Sequence, residues 1–314
     1  WPSGRGDGEA VRRPEGQVGG EDKMERSVTS RRRRLGILFT LPALAVYVVF
    51  LALPILATLA LSLCKWSGYN LAQIKFIGFD NFAKVFTDRV FYRALLNTFI
   101  FVAVRVVFLN ALGIAGALLI DSRAPGRHVL KTVVFIPCLL SSVIIGVMWS
   151  RIFDAYGILN MILEKLKIIT SPILWLGDAG IALITILVAS IWQWTGFNVL
   201  MYYAGLQNIS AEIHEAARVD GAGYWQTVFR VTIPQLRPVV TMSVLWNLIG
   251  GFKVYDLVAV MTDAGPNCAT EVLATYTYRH AFELNKMGTA SVAAIVIVAL
   301  CVIASIVRMK ASQE

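Results

Sequence analysis

The chain has 314 residues, 57% of them hydrophobic and 16% charged, with a mean hydropathy of +0.65. A water-soluble domain carries about a quarter charged residues, so this balance argues against a soluble domain and for a membrane protein. Much of the net charge of +9 sits in Arg31–Arg34, directly before the first apolar run, where it reads as a cytoplasmic anchor and not as a nucleic-acid arm.

Residues 1–30 are rich in Gly, Arg, Glu and Pro, lack apolar periodicity and are expected to be disordered. Met24 is the expected natural start of translation, which intact-mass measurement would test. The tail is not read as a secretory signal, because no small-residue cleavage site follows it. Six apolar runs come next: Leu35–Leu63 (with Pro42 and Pro54 as kinks or ends), Leu95–Ile120, Thr132–Trp149, Ile181–Tyr203, Val239–Met261 and Thr289–Val307. A helix needs about 20 apolar residues to cross the bilayer core, so these predict six spans, the third near the short limit. Between them lie a short amphipathic helix at 80–86, another beginning near Tyr156, and a turn at Gly265-Pro266 leading into an aromatic helix that reaches Phe282. None is large enough for a separate outer domain.

Lys and Arg set the orientation. An even span count puts both termini on one side, with Arg31–Arg34, Arg123, Arg127, Lys131, Arg218, Arg230, Arg237, Arg308 and Lys310. The other side carries Lys65, Lys75, Lys84, Arg89 and Arg93, but the first set abuts the spans in short loops, so the termini are expected inside. Cys64, Cys138, Cys268 and Cys301 form no C-x-x-C pair and read as small buried hydrophobes, a Cys64–Cys268 bridge being the alternative.

The polar stretch between the fourth and fifth runs holds the most information. Ser210 is placed to cap a helix containing Glu212 and Glu215, and Gly221 to stop it in a left-handed turn. Tyr224, Trp225, Val228 and Phe229 give a second helix an apolar stripe, which Pro234 and Pro238 end. Two short helices meeting at a glycine make a projecting knob; the bland alternative is an amphipathic hairpin lying on lipid. His214-Glu215-Ala216-Ala217 starts like a zinc-protease H-E-x-x-H, but Arg218 takes the second ligand's place, so no metal site is expected. The chain has no Gly-Lys dipeptide and hence no Walker A loop.

Glu215-Ala216-Ala217, then three residues to Gly221, then nine to Val231-Thr232-Ile233-Pro234, resembles the EAA loop of ABC-importer permeases, with Val-x-Ile-Pro in place of Ile-x-Leu-Pro. Other segments resemble the carbohydrate-uptake, maltose and glycerol-phosphate, branch: Phe76–Phe82, Arg93–Thr98, Tyr156–Asn160 and Thr262–Pro266 with Thr270, Glu271 and Tyr276. Ala264 stands where that branch has a glycine. The resemblance implies an all-α membrane protein with about six transmembrane helices in the type I importer arrangement. It implies a permease domain over 31–314 with a cytoplasmic coupling loop at 206–238. Glu215, Ala216, Ala217, Asp220, Gly221 and Pro234 would then dock a separate ATPase. It further implies a non-enzymatic subunit in a bacterial or archaeal cytoplasmic membrane. Its partners would be a second homologous permease, two ATP-binding-cassette subunits that hold ATP and Mg, and an extracytoplasmic solute-binding protein. No cofactor would be bound by this chain.

Charged groups inside spans cost about 2.5–3.5 kcal/mol at the centre on insertion scales, so Arg105, Lys253 and Asp256 call for a reason. Lys253 and Asp256 are spaced to share a helix face, as a structural ion pair, as snorkelling groups or as lining of a polar pathway. Trp192, Gln193, Trp194 and Asn198 in the fourth run, and Trp246, Asn247 and Tyr255 in the fifth, are groups suited to sugars. The resemblance points to Trp194, Gly196, Asn198, Gly251, Lys253 and Tyr255 as pathway residues; Asn247 and Asp256 join them as polar groups of the same run. Arg105 stands outside that pattern. The rivals are an ion-gradient-driven secondary transporter, which would show a broken helix with paired carboxylates, and an intramembrane enzyme.

Overall fold

The computed structural model describes residues 40–122 and 126–313. The expectations for the 1–30 tail, Met24, Arg31–Arg34 and Arg123 lie outside the described residues. The chain falls into two units, residues 1–57 and Thr58–Glu314. Helix α1 (Thr40–Ser62) begins in the first and ends in the second. It carries a π-turn at Val48–Ala52, directly before Pro54, where a proline removes a donor and crowds the preceding turn.

In the second unit a two-residue antiparallel ladder, Cys64–Lys65 with Lys75–Phe76, leads to α2 (Asp80–Thr87) and α3 (Arg89–Asp121). Next come α4 (Arg127–Leu139), α5 (Ser142–Ile152), α6 (Ile158–Lys165) and α7 (Ala182–Gln207). Two short helices, α8 (Ala211–Val219) and α9 (Tyr224–Thr227), precede α10 (Arg237–Phe252) and α11 (Asp256–Met261). The chain ends with α12 (Leu273–Tyr278) and α13 (Met287–Gln313).

Among the described residues, four helices are long and apolar enough to cross a membrane: α1, α3, α7 and α13. Of the six spans expected from hydropathy, four are these unbroken helices and another is the bent pair of the third run, while the Val239–Met261 run is split into helices of 16 and 6 residues, neither long enough to span. The third run is bent by 103° between α4 and α5. Pro137 withholds a backbone donor near the end of α4, and the Ser141 hydroxyl accepts from Ile144 N (3.4 Å) to start α5. The fifth run breaks at 253–255, just after Gly250-Gly251, where two glycines weaken a helix.

Helix α3 shows why the bundle suits lipid. Ala94, Asn97, Thr98, Phe101, Arg105, Leu109, Gly113 and Ala117 form its buried stripe, whereas Leu96, Val107, Phe108, Leu112 and Leu119 are exposed. Asn97, Thr98 and Arg105 thus lie in the buried stripe while large apolar side chains stand exposed, an arrangement that suits lipid and not water. Gly113 and Gly116 admit α7: a Cβ at Gly113 would stand 2.9 Å from the Tyr202 ring, and one at Gly116 2.6 Å from Val199. The Tyr202 hydroxyl donates to Asn110 Oδ1 across the same seam.

On the side away from α8, Asn81 Nδ2 donates to Ser62 O and Cys64 O, both at 2.8 Å, tying α2 to the end of α1. Asn160 Nδ2 donates to the carbonyls of Ala155 (3.0 Å) and Ile173 (2.9 Å), and its Oδ1 accepts from Trp175 Nε1 (3.0 Å). Asp88 Oδ1 accepts from Val90 N, capping α3, while Oδ2 accepts from the Tyr276 hydroxyl, both at 2.8 Å. The Thr262–Thr270 turn is closed by Thr270 Oγ1 donating to Gly265 O at 2.7 Å. Buried Glu271 pairs with Arg279; burial pushes its carboxyl up, while hydrogen bonding from Thr275 and the Arg279 charge oppose this. All four cysteines are free, so the alternative of a Cys64–Cys268 bridge is not realised.

Ala264 lies in this turn with φ +62° and is buried, in a left-handed conformation that a Cβ disfavours. Ala264→Gly is expected to relieve about 1 kcal/mol of strain and to raise the unfolding midpoint in detergent. An unchanged or lower midpoint would contradict the strain.

Candidate functional site: a hinged hairpin and a cavity between broken helices

The hairpin lies between α7 and α10. Ser210 has the extended backbone of an N-cap, but its side chain makes no capping bond, so that expectation is corrected: the start of α8 is held by Ile213 N donating to Ser210 O (3.2 Å). Its end follows the glycine rule. Gly221 has φ +76°, and Ala222 N donates to Ala217 O at 2.9 Å. Nothing lies within 4 Å of a Cβ placed on Gly221, so the glycine is required by backbone conformation and not by space. Beyond it, Gln226 Oε1 accepts from Gly223 N (3.0 Å) to open α9. A π-turn, Val228–Thr232, absorbs the approach to Pro234; Pro234 and Pro238 each sit in the first turn of a helix, so they begin helices where the sequence reading had them ending one.

Val228, Thr232 and Leu236 are buried, and Leu236 roots the hairpin in one apolar cluster with Tyr202 and Leu206 of α7. Of the expected apolar stripe, only Val228 turns inward. Tyr224, Trp225 and Phe229 are each more than 60% exposed, and their rings adjoin at 5.2 and 6.0 Å. Glu215, Ala216, Asp220 and Gly221 are exposed, and Ala217 is buried. One compact segment thus offers a carboxylate, a small-residue patch and three adjoining exposed aromatic rings, a grouping that suits an interaction surface.

The second feature lies deeper in the bundle. Ser142, at the start of α5, and Lys253, Tyr255 and Asp256, at the break between α10 and α11, line one cavity with Arg105 of α3, Trp194 of α7 and Trp246 of α10; its volume is about 380 Å³. Both interruptions therefore face one space. Irregular backbone at membrane depth is tolerated where it is buried in protein or lines a polar cavity. Gln193 holds the first break, its Nε2 donating to Leu140 O and Ser142 Oγ, both at 3.2 Å.

The pathway candidates separate into three groups. Trp194, Lys253, Tyr255 and Asp256 line the cavity. Asn198 and Asn247 sit behind it: Asn198 Oδ1 accepts from Ser243 Oγ and from Asn247 Nδ2, both at 2.8 Å, and locks α7 to α10. Gly196 and Gly251 are close-packing points, where a Cβ would stand 2.0 Å from Val134 O and 2.9 Å from Val102 Cγ2. Lys253 and Asp256 do not share one helix face, because the break separates them, and no salt bridge joins them. Sequence reading gave no role to Ser142; the Pro137 and Ser141 signals for a break beside it were present.

The architecture defines a polytopic α-helical permease, with a polar cavity inside and a structured loop between two of its helices. Residues 109–310 match the family described as binding-protein-dependent transport system inner membrane component, and the chain belongs to that family. It is 35% identical to the lactose transport system permease protein LacF of Rhizobium radiobacter, over 89% of this chain and 94% of that one. It is 32% identical to the trehalose/maltose transport system permease protein MalF of Thermococcus litoralis, over 91% and 98%. A crystal structure of a bacterial ABC transporter involved in the import of the acidic polysaccharide alginate superposes with a TM-score of 0.79 at 22% identity, covering 93% of this chain and 98% of that one.

Gly196 and Gly221 should respond differently to a methyl group. Gly196→Ala, which forces α7 off α4, is expected to destabilise by about 3 kcal/mol, the upper range of overpacking. Gly221→Ala is expected to cost about 1 kcal/mol, from backbone strain alone. Thermal unfolding of both in one detergent checks this; equal effects would contradict the packing assignment.

Proposed function

We propose that this chain is one of two pathway-forming permease subunits of an ATP-binding-cassette importer for a carbohydrate or a related polyol or sugar phosphate. The exposed, glycine-hinged hairpin in a member of this family is the observation that carries the reading. Relatives described as lactose and trehalose/maltose permeases support the substrate class. A second similar solved structure is described as an alginate ABC transporter in complex with a pentasaccharide-bound periplasmic protein, which supports delivery by such a partner.

In this reading the hairpin faces the cytoplasm with both termini. Arg237 and Arg308 support that side: Arg237 Nη2 donates to Ala311 O (3.3 Å), and Arg308 Nη2 to Thr241 Oγ1 (3.2 Å), so the basic residues near the hairpin and near the C-terminus gather at one end. Glu215, Ala216, Ala217, Asp220, Gly221 and Pro234 belong to the docking element for the ATPase, and Tyr224, Trp225 and Phe229 extend its surface. ATP and Mg act on the two ATPase subunits, and the sibling permease completes the pathway. The loaded binding protein docks on the outer loops. ATP-driven closure of the ATPases moves the hairpin, the cavity opens outward to receive the solute, and hydrolysis resets it.

The hairpin is flanked by the helices that wall the cavity. At 1.5 Å per residue, Trp194 lies about 20 Å along α7 from Gln207, and Lys253 about 24 Å along α10 from Arg237. The Asn198–Ser243–Asn247 bonds and the Leu236–Tyr202 contact join the two helices, so a push on the hairpin moves both walls together.

An ion-driven transporter remains the second reading, favoured by the two broken helices. Asp256 is the only carboxylate among the residues lining the cavity, which disfavours it. Uptake into vesicles energised by ATP or by an ion gradient separates the two; ATP-dependent uptake without a gradient is expected.

Glu215→Lys is expected to abolish uptake and binding-protein-stimulated ATP hydrolysis while leaving expression and unfolding midpoint intact, because Glu215 is exposed. Normal uptake by this variant would contradict the docking role.

A further inference from the structure

Arg105 is the feature that the account above leaves unused. It lies in the middle of α3 and is 4% exposed, so it does not reach out to an interface. Its Nη1 donates to Asn247 O at 3.0 Å, and its guanidinium stands 5.7 Å from the centre of the Trp194 ring. The bundle makes room for it: a Cβ on Gly250 would come within 2.9 Å of Nη1. Among the described residues no carboxylate forms a salt bridge with it.

A guanidinium carries five N–H donors and a fixed charge. A bond to one carbonyl would need only a neutral amide, so the charge itself is unexplained by packing. Arg105 lines the cavity beside Lys253, and Asp256 alone opposes these two cations, leaving the lining with one net positive charge. Trp194 and Trp246 supply aromatic faces against which the C–H side of a sugar ring can lie.

We propose that this cavity selects a saccharide bearing an anionic group, a carboxylate or a phosphate, with Arg105 as the specificity-determining contact and Lys253 as its auxiliary. The proposal rests on the permease reading and deepens it. The sugar ring packs on the indoles, and the acid takes the free edge of the guanidinium. A neutral sugar leaves that charge unanswered, so the cavity discriminates by what it fails to satisfy as well as by what it binds.

The test uses the assembled transporter, with its sibling permease and ATPases, held by a non-hydrolysable ATP analogue. Direct binding is measured for two pairs, digalacturonate against digalactose and trehalose 6-phosphate against trehalose. At least one acid is expected to bind about tenfold tighter than its neutral partner at low salt, the charge-assisted contact supplying the difference. Which pair responds tells carboxylate from phosphate. Arg105→Gln is expected to erase the preference while sparing the neutral affinity, and Arg105→Lys to retain part of it. Lys253→Gln, on an exposed side chain, is expected to reduce the preference without affecting assembly. Equal binding within both pairs, absence of binding by all four sugars, or an Arg105→Gln variant that weakens acid and neutral alike, would overturn the proposal. Binding-protein-stimulated ATP hydrolysis, measured in parallel on the unmodified transporter, reports on the permease reading separately: its absence would overturn that reading instead.

Discussion

A polypeptide in lipid cannot leave backbone N–H and C=O groups unpaired, and this constraint shapes the molecule. A continuous helix meets it internally. An interrupted helix does not, so each interruption needs partners from the bundle or a polar space beside it. Among the described residues two such interruptions, after Leu139 and after Phe252, converge on the cavity. Gln193 satisfies the Leu140 carbonyl at the first. The cavity itself serves the second. The polar interior is thus the condition under which two of the helices can be broken at all.

The cavity and the hairpin belong to one mechanical unit. Helices α7 and α10 enter and leave the hairpin, and the same helices carry Trp194 and Lys253. Small residues keep them close: Gly205 meets Val239 and Leu236, where a Cβ would stand 2.7 and 2.9 Å away. Buried hydrogen bonds among Asn198, Ser243 and Asn247 add direction to the contact, since their donors and acceptors pair in one register. A shear between the helices would strand these groups in an apolar interior. Moving both helices as a body does not, which suits a lever better than a flexible linker would.

Much of this was legible in the residue order. Long apolar runs marked α1, α3, α7 and α13, and the Glu215–Gly221–Pro234 spacing marked the hairpin. Gly221 was readable because a left-handed turn has few alternatives to glycine. The broken spans were not, because hydropathy counts carbon and ignores hydrogen-bond geometry: Val239–Met261 reads as one predominantly apolar run whether or not its helix continues. Gly196 looked like a pathway residue, yet its position is fixed by the Val134 carbonyl, a contact between segments far apart in sequence. Ser210 has the composition of a cap without its bond. Arg105 announced itself as a cost; its burial at the cavity beside Trp194, with no carboxylate in a salt bridge to it among the described residues, gave the charge a place and a direction.

The central claim is that a motor docked on the hairpin changes access to the space between the broken helices. Lys253 is exposed at that space, so a Lys253→Cys variant in a background lacking the four native cysteines reports on it directly. The measurement is its labelling rate with a membrane-impermeant maleimide applied from outside, in reconstituted transporter carrying its binding protein. Fast labelling with trapped ATP and slow labelling without nucleotide is the expected result. A rate that ignores nucleotide would contradict the coupling of hairpin to cavity.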